Sequence, residues 1–175
     1  IEYSGFGSSK RYTWAMQISD VTANDLDDVL ALNEASVPHV NSLSADEMRW
    51  FFDHAPYFRL VRRDGQLAGF LVGLMQGLDY ASINYRFFCR RHEVFGYVDR
   101  VAVASHSRQR GIASQLYDDF AATLRGHVPV LVCEVNIRPP NAASMAYHER
   151  HGFVRIGTQE TEGGKKEVAL LERRL

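Results

Sequence analysis

The chain has 175 residues, a formal net charge of −1 and a 46% hydrophobic composition, which bounds it to one ordinary globular domain with a sizeable core. That charge balance provides no global field for nucleic acid or an anionic membrane surface. No apolar run reaches the length of a bilayer span and no leader peptide is visible, so a cytoplasmic protein is expected.

Residues 1 to 14 are rich in Ser, Gly and aromatics without periodicity, and Met16 directly precedes a strand-like run. Segment 1–15 therefore reads as a tag or flexible extension, with a genuine N-terminal arm as the alternative, and 16–175 as a single domain. Met16 to Val21 reads as a strand. Thr22-Ala23-Asn24-Asp25 resembles a capping box before a helix through about Ala35. Ser44-Ala45-Asp46-Glu47 opens a second helix through Phe52. Phe58 to Arg63 and Gln66 to Met75, joined by Asp64-Gly65, read as a β-hairpin. Leu78 to Arg91 is aromatic and basic and gives no clear periodicity. A strand is expected over Glu93 to Val103, a helix over Gly111 to Arg125 and a strand over Val128 to Val135. In the first of these helices Ile112, Leu116, Tyr117, Phe120 and Leu124 take the core-facing spacing. A helix over Asn141 to His151 ends at Gly152, and Val154 to Gln159 with Lys166 to Leu171 forms a second hairpin. The order β-α-α-β-β-β-α-β-α-β-β implies an α/β domain with a mixed sheet and packed helices. Cys89 and Cys133 lie far apart without metal-ligand spacing; they read as buried reduced thiols, and no metal is expected.

The turn Arg108-Gln109-Arg110-Gly111-Ile112-Ala113-Ser114 carries the strongest signal. It lies between a strand and a helix. Gly111 and Ala113 allow close backbone approach, and the helix start directs unpaired N–H groups outward with partial positive charge. That is an anion site suited to a phosphate or pyrophosphate. The sequence lacks the lysine of a Walker loop and the glycine pattern of a dinucleotide fold. The plain alternative is a helix start that happens to be basic.

Val101-Ala102-Val103, then Arg108-x-x-Gly111-x-Ala113, resembles the acetyl-CoA signature of the GNAT acetyltransferases. Asn141-Ala142-Ala143-Ser144-Met145-Ala146-Tyr147-His148-Glu149 resembles that family's second motif, in the form of the phosphinothricin acetyltransferase branch. The resemblance implies a GNAT fold: a central, mostly antiparallel, splayed sheet of six or seven strands flanked by about four helices. It implies acetyl-CoA as co-substrate and transfer of its acetyl group to a primary amine in a ternary complex. The implied acceptor is a small molecule, an amino acid or a peptide. The pyrophosphate would lie on the amides from Arg108 through Gln109, Arg110, Gly111, Ile112 and Ala113 to Ser114. The pantetheine arm would pair with Val101, Ala102 and Val103 beside a split in the sheet and touch Asn141 and His148. The plain alternative for Asn141 is a helix N-cap.

Many relatives place an acidic tyrosine seven residues after that asparagine; here His148 stands there and Tyr147 is one residue early. At about 100° per residue, His148 returns to the face of Asn141 while Tyr147 points roughly 120° away. His148 is thus favoured as acid for the departing thiolate, if protonated, with Tyr147 the weaker alternative. The amine must lose a proton before attack, and two carboxylates are candidate bases. Glu134 interrupts the apolar run Val130–Val135. Asp99 shares a face with Val101 and Val103 unless a bulge intervenes. A structural ion pair, with Arg100 as partner, is the competing reading for either acid. Trp50, Tyr80, Asn84 and Tyr85 are candidates for an aromatic acceptor wall, or else a packed cover. A GNAT-like module that binds acyl-CoA without turnover and a nucleotide- or phosphate-binding protein are the rival functions. No nucleic-acid or membrane partner is expected, and the chain would act as a monomer or homodimer.

Overall fold

A computed structural model of the chain describes residues 17–175. The expected strand start at Met16 and the expected extension 1–15 lie outside the described residues. Strand β1 (Gln17–Asp20) leads through a 3₁₀ turn, Ala23–Asp25, into α1 (Leu26–Glu34). The Thr22 N–H donates to the Asp25 carboxylate at 2.8 Å, so the aspartate closes the turn as a capping-box acid does. Helix α2 (Ala45–His54) opens on a reciprocal box. The Ser44 N–H donates to Glu47 at 2.7 Å and the Glu47 N–H donates to Ser44 Oγ at 3.2 Å. Strands β2 (Tyr57–Arg63) and β3 (Gln66–Met75) form the expected hairpin.

The aromatic-basic stretch contains α3 (Ile83–Arg91), started by Ser82, whose side chain accepts from the Tyr85 N–H at 3.2 Å. Then follow β4 (Gly96–Val103), α4 (Ile112–Leu124), β5 (Val130–Arg138), α5 (Ala142–Arg150), β6 (Val154–Thr161) and β7 (Lys166–Arg174). Strand β5 and the last hairpin run longer than the apolar patterns, because their ends carry polar residues that still pair. Cys133 is buried as expected, but Cys89 is exposed: it sits on the polar side of α3.

The strand order is β1-β2-β3-β4-β5-β7-β6, antiparallel throughout except for β4 and β5. Helices α1, α2 and α3 cover one face through Val29, Met48, Phe51 and Phe88. Helix α4 covers the other through Ile112, Leu116 and Phe120. It lies directly on β3, where a Cβ on Gly73 would meet the Phe120 ring at 2.5 Å. Among the described residues no helix is long and apolar enough to cross a membrane.

The parallel pair is short. Gly96, Tyr97 and Val98 pair with Leu131, Val132 and Cys133, and there the ladder stops. Beyond Val98, β4 keeps β3 as its neighbour, and beyond Cys133, β5 keeps β7. The sheet therefore opens into a V between two central strands.

Candidate active site

The opening of the V is a cavity of about 740 Å³. Its walls come from β4, β5, the starts of α4 and α5, the loop after α1 and the β6–β7 turn. Of the expected site residues, Asp99, Glu134, His148, Tyr147, Val101, Ala102, Val103, Arg108, Ala113, Asn141, Tyr80 and Asn84 line it. Gln109, Arg110 and Gly111 are exposed on the neighbouring turn, and the Ile112 side chain is buried in the core. Ser114 Oγ lies 3.2 Å from His151 Nε2.

The turn before α4 bends at two left-handed residues, Gln109 (φ 61°) and Gly111 (φ 76°). A side chain costs about 1–2 kcal/mol in that conformation, so glycine suits the second position. The Gln115 N–H is bonded to the Gly111 carbonyl at 3.0 Å. The amides before it form the first helical turn, which has no intrahelical acceptors.

Asp99 sits at the irregularity where Val72 pairs with Arg100 but Gly73 pairs with Val98. This bulge breaks the strict alternation and removes Asp99 from the face of Val101 and Val103. Its carboxylate accepts from Tyr80 Oη at 2.6 Å and from Arg100 Nε at 2.7 Å. Both charged side chains of the pair are nearly fully buried. Arg100 also donates to Asn33 Oδ1 at 3.1 Å and lies over the Phe51 ring. With both oxygens occupied, Asp99 is fitted to hold Tyr80 and Arg100 rather than to accept a substrate proton.

Glu134 differs. Its Oε1 accepts from Asn84 Nδ2 at 3.0 Å and from Tyr97 Oη at 2.9 Å. Its Oε2 is buried and has no hydrogen-bond partner among the described residues. Burial, with the Asp99 carboxylate behind it, pushes Glu134 up to about 8. A buried carboxylate on the wall of a cavity, with one oxygen left without a partner among the described residues, has the chemistry of a general base.

Asn141 Oδ1 caps α5 by accepting from the Ser144 N–H at 3.1 Å, which leaves its NH₂ as the donor toward the cavity. His148 is buried. Its Nδ1 lies 2.8 Å from the Ser144 carbonyl, an acceptor only, so Nδ1 carries the proton. Burial pushes the ring down to about 4, so Nε2 is bare and accepts from Tyr117 Oη at 2.8 Å. This overturns the expectation of a protonated His148 acid: the buried imidazole is neutral and both nitrogens are engaged. Tyr147 is less remote than the helical wheel expects. It lines the cavity, stacks on His151, and has a buried hydroxyl without a partner among the described residues.

Two acceptor-wall expectations also change. Tyr85 is buried behind the wall, where its hydroxyl donates to the Met75 carbonyl at 2.6 Å and accepts from the Leu78 N–H at 3.0 Å. Trp50 stacks behind Tyr80 at 5.3 Å between ring centres and is not a lining residue. The sequence reading missed Tyr117, because its helical spacing marks it as core. It also missed Lys166, which bridges Glu162 at 2.7 Å and Asn41 at 3.0 Å across the cavity rim.

The family model of the Acetyltransferase (GNAT) family matches residues 26–153. The chain belongs to the GNAT acetyltransferase family. This is a family of acyltransferases that use acetyl-CoA. No curated protein matches the sequence. Solved structures share the fold at low identity. Ard1 from Thermoplasma volcanium is 18% identical with a TM-score of 0.75, covering 92% of this chain and 98% of that one. The ribosomal-protein-S18-alanine N-acetyltransferase from Escherichia coli is 16% identical with a TM-score of 0.68, covering 91% and 93%. A protein assigned as a phosphinothricin N-acetyltransferase is 19% identical with a TM-score of 0.66, covering 92% and 99%.

The residues fit CoA on two counts: among the described residues the β4 edge from Asp99 to Val103 has no β5 partner, and the first-turn amides of α4 follow Gly111.

Proposed function

We propose that this GNAT protein transfers the acetyl group of acetyl-CoA directly to a primary amine in a ternary complex, with Glu134 as general base. The acceptor class is a small molecule, an amino acid or a peptide. The observation that carries the reading is Glu134 itself: a carboxylate at the split of the sheet, raised to about 8, with Oε2 free. Acetyl-CoA, when bound, supplies an activated acyl carbon and a thiol leaving group.

The backbone of Val101, Ala102 and Val103 would pair with the pantetheine arm as a strand does. The amides from Arg108 to Ser114 would hold the pyrophosphate, and Arg108 and Arg110 would add charge-assisted contacts. Asn141 would donate its NH₂ to a pantetheine carbonyl. Tyr80 and Asn84 face the acceptor, and Asn84 also orients Glu134. Holding both reactants in the V contributes orientation, and Glu134 removes the ammonium proton.

Thiol release from acetyl-CoA with a panel of amines, amino acids and peptides tests this. Turnover should rise as pH increases through about 8, since only the ionised carboxylate is a base. In Glu134→Gln, kcat should fall roughly 10²-fold or more and that limb should vanish, with acetyl-CoA binding kept. The neutral His148 favours a second reading, a module that binds acyl-CoA without turnover. Stabilisation by CoA with no thiol release from any amine would select it.

A further inference from the structure

Glu134 is held in part from a strand outside the cavity. Helix α3 lies over β6, where a Cβ on Gly157 would stand 3.9 Å from the Phe87 ring. Gln159, two residues further along β6, shares that face, and its Nε2 donates to Asn84 Oδ1 at 3.0 Å. Asn84 is buried, and its Nδ2 donates in turn to Glu134 Oε1 at 3.0 Å. Side chains from β6, α3 and β5 thus form one run of hydrogen bonds that ends on the carboxylate. Gln159 is half-buried and does not line the cavity.

The direction of this run has a chemical consequence. A side-chain amide is a donor at one end and an acceptor at the other. The Gln159 donor takes the Asn84 oxygen, so the Asn84 NH₂ is the end left for Glu134. Tyr97 Oη donates to the same Oε1 at 2.9 Å. These two donors use both lone pairs of Oε1, while Oε2 has no partner among the described residues. A proton arriving at Glu134 therefore goes to Oε2. The charged and titratable groups around the carboxylate are Asp99, Arg100 and Tyr97 on β4, Tyr80 before α3, Cys133 on β5 and Tyr117 on α4.

We infer that Gln159 is a positioning residue for the reaction: acting through Asn84 from outside the cavity, it fixes the Asn84 amide and makes Oε2 of Glu134 the oxygen that takes the amine proton. This rests on the acetyl-transfer reading above. Donors that all run toward the carboxylate favour its ionised form. A residue at position 159 that only accepts would turn the Asn84 amide round, aim its carbonyl oxygen at Oε1 and favour the protonated form.

The test is the infrared carbonyl stretch of the protonated Glu134 carboxyl, identified by its loss in Glu134→Gln and followed against pH without substrate. The wild-type band should titrate away with a midpoint of about 8. In Gln159→Glu the midpoint should rise by about one unit. It should also rise in Gln159→Met, which lacks the donor and adds no charge. Gln159→Lys restores a donor and should not raise it. Position 159 is on an edge strand, so these replacements leave the core intact. With an active amine, the rising limb of kcat should move with the band. Below that limb kcat in Gln159→Glu should fall about tenfold, recovering on the alkaline side with the acetyl-CoA KM within about twofold. Loss of packing alone would lower kcat at every pH and leave the limb in place. A midpoint in Gln159→Met equal to that of wild type would overturn the inference alone, and so would a rise in Gln159→Lys as large as in Gln159→Met. A band that shifts as expected, with no thiol release from any amine, would overturn the acetyl-transfer reading and leave the hold of Gln159 on the carboxylate standing.

Discussion

Arg100 and Asp99 are adjacent in sequence yet paired side chain to side chain, because the bulge at Asp99 turns both toward one face. Removing one member of such a buried pair leaves the other charged and unsolvated. Arg100→Leu should therefore cost about 3–5 kcal/mol of stability, measured by chemical denaturation. The double variant Asp99→Asn/Arg100→Leu should recover part of that loss. Legibility at this scale followed chemistry. Glu134 stood out as an acid in an apolar strand, and burial does perturb it. Asp99 and Arg100 could be read as a pair because they were neighbours. Tyr117 could not be read as a site residue: a tyrosine in a helical core stripe carries no mark of what its hydroxyl reaches. The protonation state of His148 was equally hidden. It depends on the Ser144 carbonyl and on burial, neither of which a motif contains.

Helix α4 shows what element-level pattern can and cannot supply. Its apolar stripe, its glycine start and the strands that flank it in sequence were legible from period and turn chemistry. How closely it approaches the sheet was not, since that is set by Gly73 on another element. Gly73→Val should force the buried Phe120 ring aside and destabilise the protein by about 1–3 kcal/mol in denaturant titration. Helix α3 was the least legible element. Six of its nine residues are aromatic or basic and interleave without a clean stripe, because Tyr85 and Phe88 face the core while Arg86 and Arg90 face solvent. Its decisive signal was local: the Ser82 cap. The bulge in β4 was left open by the sequence, as nothing in Tyr97-Val98-Asp99-Arg100-Val101 announces an extra residue.

For the molecule as a whole, two of the perturbed groups of the cavity, Glu134 and His148, pull stability in opposite directions. Glu134 is raised from 4.5 to about 8, so the native state binds the extra proton, and stability falls as pH rises from 4.5 to 8. His148 is lowered from 6.5 to about 4, so its contribution is present above 6.5 and is lost as pH falls toward 4. The two slopes oppose each other between pH 4.5 and 6.5. Thermal melts across this range should show a plateau from these groups in wild type. Glu134→Gln should expose the acid-side loss, and His148→Gln should expose a steady gain as pH falls from 8. At this scale the order of the elements was legible except for α3, and the resemblance implied a mostly antiparallel sheet with one split. The placement of β7 between β5 and β6 was not, because hairpin signals do not say which arm lies inward.

The V has a further consequence for how the protein coexists with its neighbours. An unpaired strand edge at the rim of a sheet is a template for pairing with another chain. Here the edges bared at the split, beyond Val98 and beyond Cys133, lie in the middle of the sheet. The loop after α1 is tied across them by the Asn136 and Lys166 bonds to Pro38 and Asn41. The backbone bared at the split is thus sheltered from other proteins and open only to something as slender as a single extended arm.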